Sequence, residues 1–316
     1  RKQKLTGNVN WNNTLPYVIL GGITIDTTAT LTINRGCRIY LHADAPFIVD
    51  GTLKVNGTKQ DSVVFRGDRL DPDYKDLPAS WPGIIFRRSS KDNVLKFCQL
   101  LNAYQGLVLE SPAPNSNPKL TLSQSRLDNI YDAGILSVNS SIAADNCLIS
   151  NCGSNVVLVL GGNYNFTHCT IASYSNNYFS HTNPSFLLTN FVAQGNTFIT
   201  ANLTAVLRNN IIWGDFGNVE NELFIAKQGT TQFNVLLENN LYKAILDPVN
   251  VTATNNIKNQ PPQFDSINVG KRIFNFHFNN SSSSPAINKG IATPFPRDLD
   301  DRPRAVGLPD IGCYEK

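Results

Sequence analysis

The sequence predicts an all-β solenoid, a parallel β-helix with rungs of roughly 22 residues. Three observations carry the expectation. A phrase recurs, as "FCQLLNAYQGLVL" from Phe97, "SRLDNIYDAGILSV" from Ser125 and "NCLISNCGSNVVLVL" from Asn146. Each unit breaks into short apolar runs ended by Asn, Gly, Ser or Asp, the grain of strands rather than helices. No long amphipathic helical stretch interrupts them. Units of this length cannot bury their apolar residues alone, so each must lie on the next.

The anchors Cys98, Ser125, Cys147 and Cys169 stand 27, 22 and 22 residues apart. Asn190 and Asn210 extend the series by 21 and 20, and Asn240 and Asn256 by 30 and 16. Four positions after the first three anchors come Asn102, Asn129 and Asn151, expected to form one column at a turn, where Asn tolerates left-handed backbone. A leucine-rich repeat would need a sustained LxxLxLxxN unit, and a β-sandwich would show no fixed rung.

In chain order, residues 1–65 read as the first turns, alternating β runs with GG, RG, DG and NG turns. Residues 66–83, "RGDRLDPDYKDLPASWPG", read as an inserted charged loop tied down by Leu70, Tyr74 and Trp81. Shorter insertions fall at 111–119 and 213–222, and loops are where function concentrates. The solenoid is expected over 1–280. The tail, 281–316, loses the pattern and is expected to cap the last turn through Ile287, Ile311 and Tyr314.

Composition narrows the function. The 316 residues include 39 asparagines, no methionine and 16% charged residues, with a formal net charge of +3. That balance gives no clustered basic face for nucleic acid, and no run reaches the ~20 apolar residues of a membrane span. The missing methionine suggests a trimmed chain. Six cysteines (37, 98, 147, 152, 169 and 313) form no CxxC or zinc spacing. Cys98, Cys147 and Cys169 are expected to form a buried thiol ladder.

No catalytic, cofactor-binding or metal residue is assigned. The nearest acidic group is Asp128 and Asp132 with Arg126 and, one rung earlier, Glu110. Arg126 and Asp128 share a strand face, but Leu101 and Ser150 lie level with Asp128, so the cluster is thin for a lyase or hydrolase. Asp68, Asp71, Asp73 and Asp76 lack the order of a calcium loop. The histidines are 42, 168, 181 and 277, and His168, beside Cys169, reads as structural. Cys152 lacks a base to activate it. Tyr104 and Tyr131 could stack on adjacent rungs as an aromatic strip for sugar. Tyr174, Tyr178 and Trp213 lie near other turns.

"LTINRGCRIY", "IVDGTLKVNGTKQDSVVFRGDRLDPDY", "WPGIIF" and the ending "SPAINKG…RDLDDRPRAVGLPDIGCYE" resemble secreted or lipid-anchored, pectate-lyase-like right-handed parallel β-helix proteins of Bacteroidetes. Asn288, Asp301 and Cys313 depart from the usual Asp, Gly and Ala. The resemblance implies export to the cell surface or periplasm, as an outer-membrane-associated lipoprotein anchored upstream of Arg1. It does not supply chemistry, and the GHG and RIK motifs of related hydrolases are absent. The expectation is therefore a non-catalytic exported β-helix scaffold that is adhesive or binds a polysaccharide partner, without cofactor. The alternative is a polysaccharide lyase or glycoside hydrolase acting on an acidic polysaccharide.

Overall fold

The computed structural model describes residues 3–178, 180–279, 281, 283–304 and 307–316. Apart from two antiparallel pairs, Phe191–Gln194 with Thr197–Thr200 and Phe264–Asn268 with Ile273–Phe278, its strands fall into three sets of parallel partners. In the first, Ile84–Phe86 pairs with Leu107–Glu110, which pairs with the start of Ala133–Asp145. In the second, Asn93–Lys96 leads to Leu120–Ser123 and the end of Ala133–Asp145. The third runs through Cys98–Leu101, Arg126–Asp128, Leu148–Ser150, Thr170–Tyr174 and Ile211–Asp215. Alternation sends one row of each strand inward. Ile84, Leu107, Ile135, Val156, Phe186 and Leu223 are successive partners, and all are buried. Burying each contributes about 1.5–3 kcal/mol.

The expected open right-handed β-helix requires correction. Eleven strands of the large sheet close through 305° around an axis, so the architecture is an all-β, parallel, barrel-like wall and not a repeating prism. The physical reason lies in two long strands. Ala133–Asp145 and Ser154–Thr167 each belong to both the first and second sets and pair along most of their length. Two expected faces are thereby one curved sheet of 17 strands, facing a second sheet of 10. Hydrogen bonds do not complete the closure. Among the described residues Gln3–Leu5 pairs only with Ile23–Ile25, and Leu223–Ala226 only with Phe186–Thr189. The pectate-lyase-like resemblance and the scaffold function built on it fall with the open solenoid.

Two rows of left-handed residues turn the chain. Asn102, Asn129 and Asn151 have φ of 62°, 59° and 50°. They stand in one column, as expected. Each amide donates to the carbonyl of the next circuit, and Asn129 Nδ2 donates to Asn102 Oδ1 at 2.8 Å. The second row is Phe97, Gln124, Asn146, His168, Asn209, Asn239 and Asn255, with φ between 46° and 55°. Asn populates this region at the least cost of any residue with a side chain.

The residues after this second row point inward and stack as Cys98, Ser125, Cys147, Cys169, Asn210, Asn240 and Asn256. Ser125 Oγ accepts from Cys98 N at 3.0 Å, and Asn210 Oδ1 from Cys169 N at 2.8 Å. Asn190 is not a member. The step from Cys169 to Asn210 is 41 residues, because the antiparallel hairpin Phe191–Gln194 and Thr197–Thr200 leaves the wall there. Asn190 instead binds Gln228 and Thr231. All six cysteines are free and buried. Burial drives the Cys98 and Cys152 thiols well above their ordinary range, so neither supplies a thiolate.

The tail lies along the outer side of the third set as a strap, covering Leu148, Ala172, Tyr174, Ile211, Trp213 and Leu241 with Ala286, Leu299, Ile311 and Cys313, beside Phe276 of the strand Ile273–Phe278. Ile311 is fully buried and Tyr314 stacks on His277, while Ile287 is only half-buried. The second left-handed row clasps the strap. Gln124 Nε2 donates to Asp298 O, Asn209 Nδ2 to Ile291 O and Asn239 Nδ2 to Lys289 O. Arg304 donates to Asn146 Oδ1 through Nε and Nη2.

Candidate functional site

A groove of about 470 Å³ lies on the outer side of the wall, where the two long strands pass from the first set to the second. Its floor is made of outward side chains in register. Ser141 pairs with Asn163, and Ala143 with Asn165. Asn139, at φ 45°, turns the chain at the groove's head. The loop 112–118 overhangs the floor, and one carboxylate holds it. Asp92 accepts from Asn115 Nδ2 at 2.9 and 3.1 Å and from Asn117 Nδ2 at 2.8 Å. These bonds, Asn117 first, hold Asp92 below the usual carboxylate range. With both amides turned to Asp92, each Asn keeps its carbonyl oxygen for other partners.

Among the described residues no ionisable side chain lines the groove. Asn163 makes no side-chain hydrogen bond among the described residues, and Asn165 Oδ1 accepts from Thr167 Oγ1, leaving its amide as a donor. Ser140 Oγ is buried without a partner. The surface therefore offers amides, hydroxyls and methyls at neutral charge.

Lys119 fixes the base of the overhang. The residue is fully buried, and its ammonium donates to three backbone carbonyls: Glu110 O at 2.6 Å, Arg87 O at 3.1 Å and Arg88 O at 3.3 Å. Burial pulls its pKa down to about 8, partly opposed by Glu110. A lysine depressed in the fold and near 10.4 when unfolded costs stability below about pH 8, and that cost fades as pH rises towards the unfolded value. The urea midpoint of the wild type is thus expected to rise, relative to Lys119→Met, between pH 8 and 10. Parallel curves would show that the carbonyl cage fully compensates the charge.

The residues singled out in the sequence separate into those that meet and those that do not. Arg126 and Asp128 do share a face, with Nη2 to Oδ2 at 2.8 Å. Asp128 Oδ1 is occupied by Ser150 and Asn151, at 2.6 and 3.3 Å. Asp132 lies around the next corner, bound to Gln105 Nε2 at 2.8 Å. Glu110 is exposed in the first set. These carboxylates do not converge, and the lyase or hydrolase alternative finds no catalytic cluster in them. In the loop 66–83, Asp68 pairs with His42 and Asp71 with Arg69. Among the described residues no group of three or more His, Cys, Asp or Glu could hold a metal. Trp81 anchors that loop, fully buried with Nε1 donating to Leu101 O at 2.9 Å. Leu70 and Tyr74 are exposed, contrary to expectation.

His168 is structural. It contacts Asp310 O at 3.2 Å and Asn209 Nδ2 at 3.0 Å, and burial, then Arg304, pushes its pKa down so that it stays neutral. Tyr104 and Tyr131 stack as expected, centroids 5.5 Å apart, and both rings are about half exposed. Tyr174 and Trp213 are instead buried under the strap. Sequence reasoning missed Asn139, Asn163 and Asn165. The only signal was their odd spacing in "NSSIAADN" and "GGNYNFT", where alternate residues are apolar.

No family model matches the chain, and no curated protein matches it. Among the described residues no helix is long and apolar enough to cross a membrane.

Proposed function

We propose that this chain acts by binding, without chemistry of its own, and that its partner is an uncharged stretch of polysaccharide laid in the groove under the 112–118 loop. The observation that carries the reading is the lining itself: amides and hydroxyls in register, with no charge among them. Hydroxyl-rich ligands exchange water for such groups at little desolvation cost, whereas a charged ligand would find nothing to neutralise it. The volume is that of a small-ligand site. The exposed Tyr104–Tyr131 stack offers a second apolar surface of the kind a sugar ring covers.

Affinity electrophoresis through gels containing single neutral polysaccharides tests it. At least one polymer is expected to retard the wild type, and Asn163→Ala with Asn165→Ala to weaken retardation at least tenfold while leaving the fold unchanged. Retardation only by charged polymers, or equal retardation of the variant, would refute the groove.

A further inference from the structure

An apolar column runs across the outer side of the first set of strands. Ile48 and Ile85 lead to Val108, Leu136 and Val157, then to Leu187 and Phe224, each the register partner of the next. Phe224 is 42% exposed, and each of the others keeps part of its surface in water. None belongs to a buried cluster. Two residues further along their strands, Val138 and Val159 pair beside the column and widen it to a strip.

The other two sets treat their outer sides differently. On the second, the outward partners are mixed: Lys54, Val94, Thr121, Ala143 and Asn165. On the third they turn apolar at Leu148, Ile211 and Leu241, and there the strap covers them. Parallel sheets are as a rule covered on both faces. The third set meets that rule with the chain's own tail, whereas the apolar side of the first set stays open. Its extent matters. With neighbouring strands about 4.8 Å apart, the strip is roughly 29 Å long, and at two columns wide it offers on the order of 400 Å². Open apolar patches of that size mark interaction surfaces.

We propose that the strip pairs with the same strip of a second copy of this chain, in an isologous two-fold dimer. Two arguments select that occupant. The first is area. Two strips face to face bury about 800 Å² by themselves, and their polar rims carry the total past the ~1,000 Å² of a specific interface. A second copy also brings the same strand spacing, so the side chains interdigitate as they do between stacked sheets. The second argument is charge. Beside the strip, Arg87 Nε donates to Asp50 Oδ1 at 2.7 Å, and Glu110 follows on the next strand. Their sum is one negative charge, the wrong sign for an anionic lipid surface. Leu136 stands at the middle of the column, so a two-fold pairing of whole strips sets it against its own copy.

Sedimentation equilibrium of the full chain over a range of concentrations tests the proposal. The expected result is a monomer–dimer equilibrium, weakened at least tenfold by Leu136→Asp and by Val157→Lys, with the circular dichroism spectrum of the wild type retained. Leu136→Cys keeps the test decisive if the charged variants fold poorly. All six native cysteines are buried, so mild oxidation is expected to join two copies through the new thiol, seen as a dimer on a non-reducing gel. A chain that stays monomeric at every concentration overturns the proposal, as does a dimer that both charged variants retain. A monomer that binds phosphatidylcholine vesicles, and loses that binding in Leu136→Asp, also overturns it and assigns the strip to a lipid surface.

Discussion

Replacing Arg304 with methionine is expected to lower the unfolding free energy by about 3–5 kcal/mol, the range for removing one partner of a buried ion pair. Arg304 is 5% exposed. Its guanidinium donates to Glu315 Oε2 at 2.8 Å, to Gly312 O at 2.9 Å and to Asn146 Oδ1 at 2.8 and 3.1 Å. Methionine fills much of the volume but leaves Glu315 buried beside Asp310 and Asp298. Urea unfolding followed by circular dichroism reads the loss. A change within 1 kcal/mol would mean that water replaces the guanidinium, and that the strap is looser than its contacts imply.

The same pair fixes a pH dependence. Burial, then the charge of Asp310, raises the Glu315 pKa to about 7, against the pull of Arg304. A carboxyl raised in the fold favours folding fully below its unfolded value, near 4.3, and that contribution is lost as pH climbs through about 7. The wild type should therefore lose stability relative to Glu315→Gln between pH 4.5 and 7. Equal slopes in the two proteins would contradict the raised value.

Replacing Asn240 with alanine is expected to cost about as much as the Arg304 change. Asn240 is fully buried, and its side chain makes four hydrogen bonds at once. Oδ1 accepts from Asn210 N and Nδ2, at 3.0 and 2.9 Å. Nδ2 donates to Leu207 O at 2.8 Å and to Asn256 Oδ1 at 3.0 Å. Alanine takes a partner from the Asn210 amide hydrogen and from the Leu207 carbonyl in the core, each worth about 1–3 kcal/mol when orphaned. The Asn210 side chain keeps Phe166 O, and the Asn256 side chain keeps Asn240 N. The penalties will not simply add, because neighbours relax together. Hydrogen exchange gives the sharper reading: the amides of Asn210 and Cys169 should lose protection ahead of those in Ile84–Phe86. Uniform loss across the chain would mean that the ladder is not a local unit.

The sequence made some of this legible and hid the rest for identifiable reasons. The column of Asn102, Asn129 and Asn151, the shared face of Arg126 and Asp128 and the Tyr104–Tyr131 stack all follow from register, and register is local. Asn190 misled because an asparagine before a hairpin carries the same letter and similar neighbours as an asparagine inside the wall. Only the 41-residue step separates them. The merging of two faces depended on residues 133–145 and 154–167 staying extended through a bend. Asn139 and the Gly161–Gly162 pair write that bend in the alphabet of a turn, so a break was expected where the strands continue. The groove was hidden because its asparagines face outward from strands, whereas the repeat taught that asparagine marks corners. The strap was hidden because its partners, among them Gln124, Asn146, His168 and Asn239, are scattered over more than a hundred residues.

That scattering bears on how the molecule is made. Residues 286–315 follow every strand they cover. A chain emerging from the ribosome can lay down circuit after circuit, yet Ile211, Trp213 and Leu241 wait for residues 286–313 to complete their cover. Until those residues arrive, the third set keeps an apolar side uncovered and its left-handed row unclasped. That side stays open to chaperones for as long as the strap is still being made, so the order of assembly is circuits first and strap afterwards.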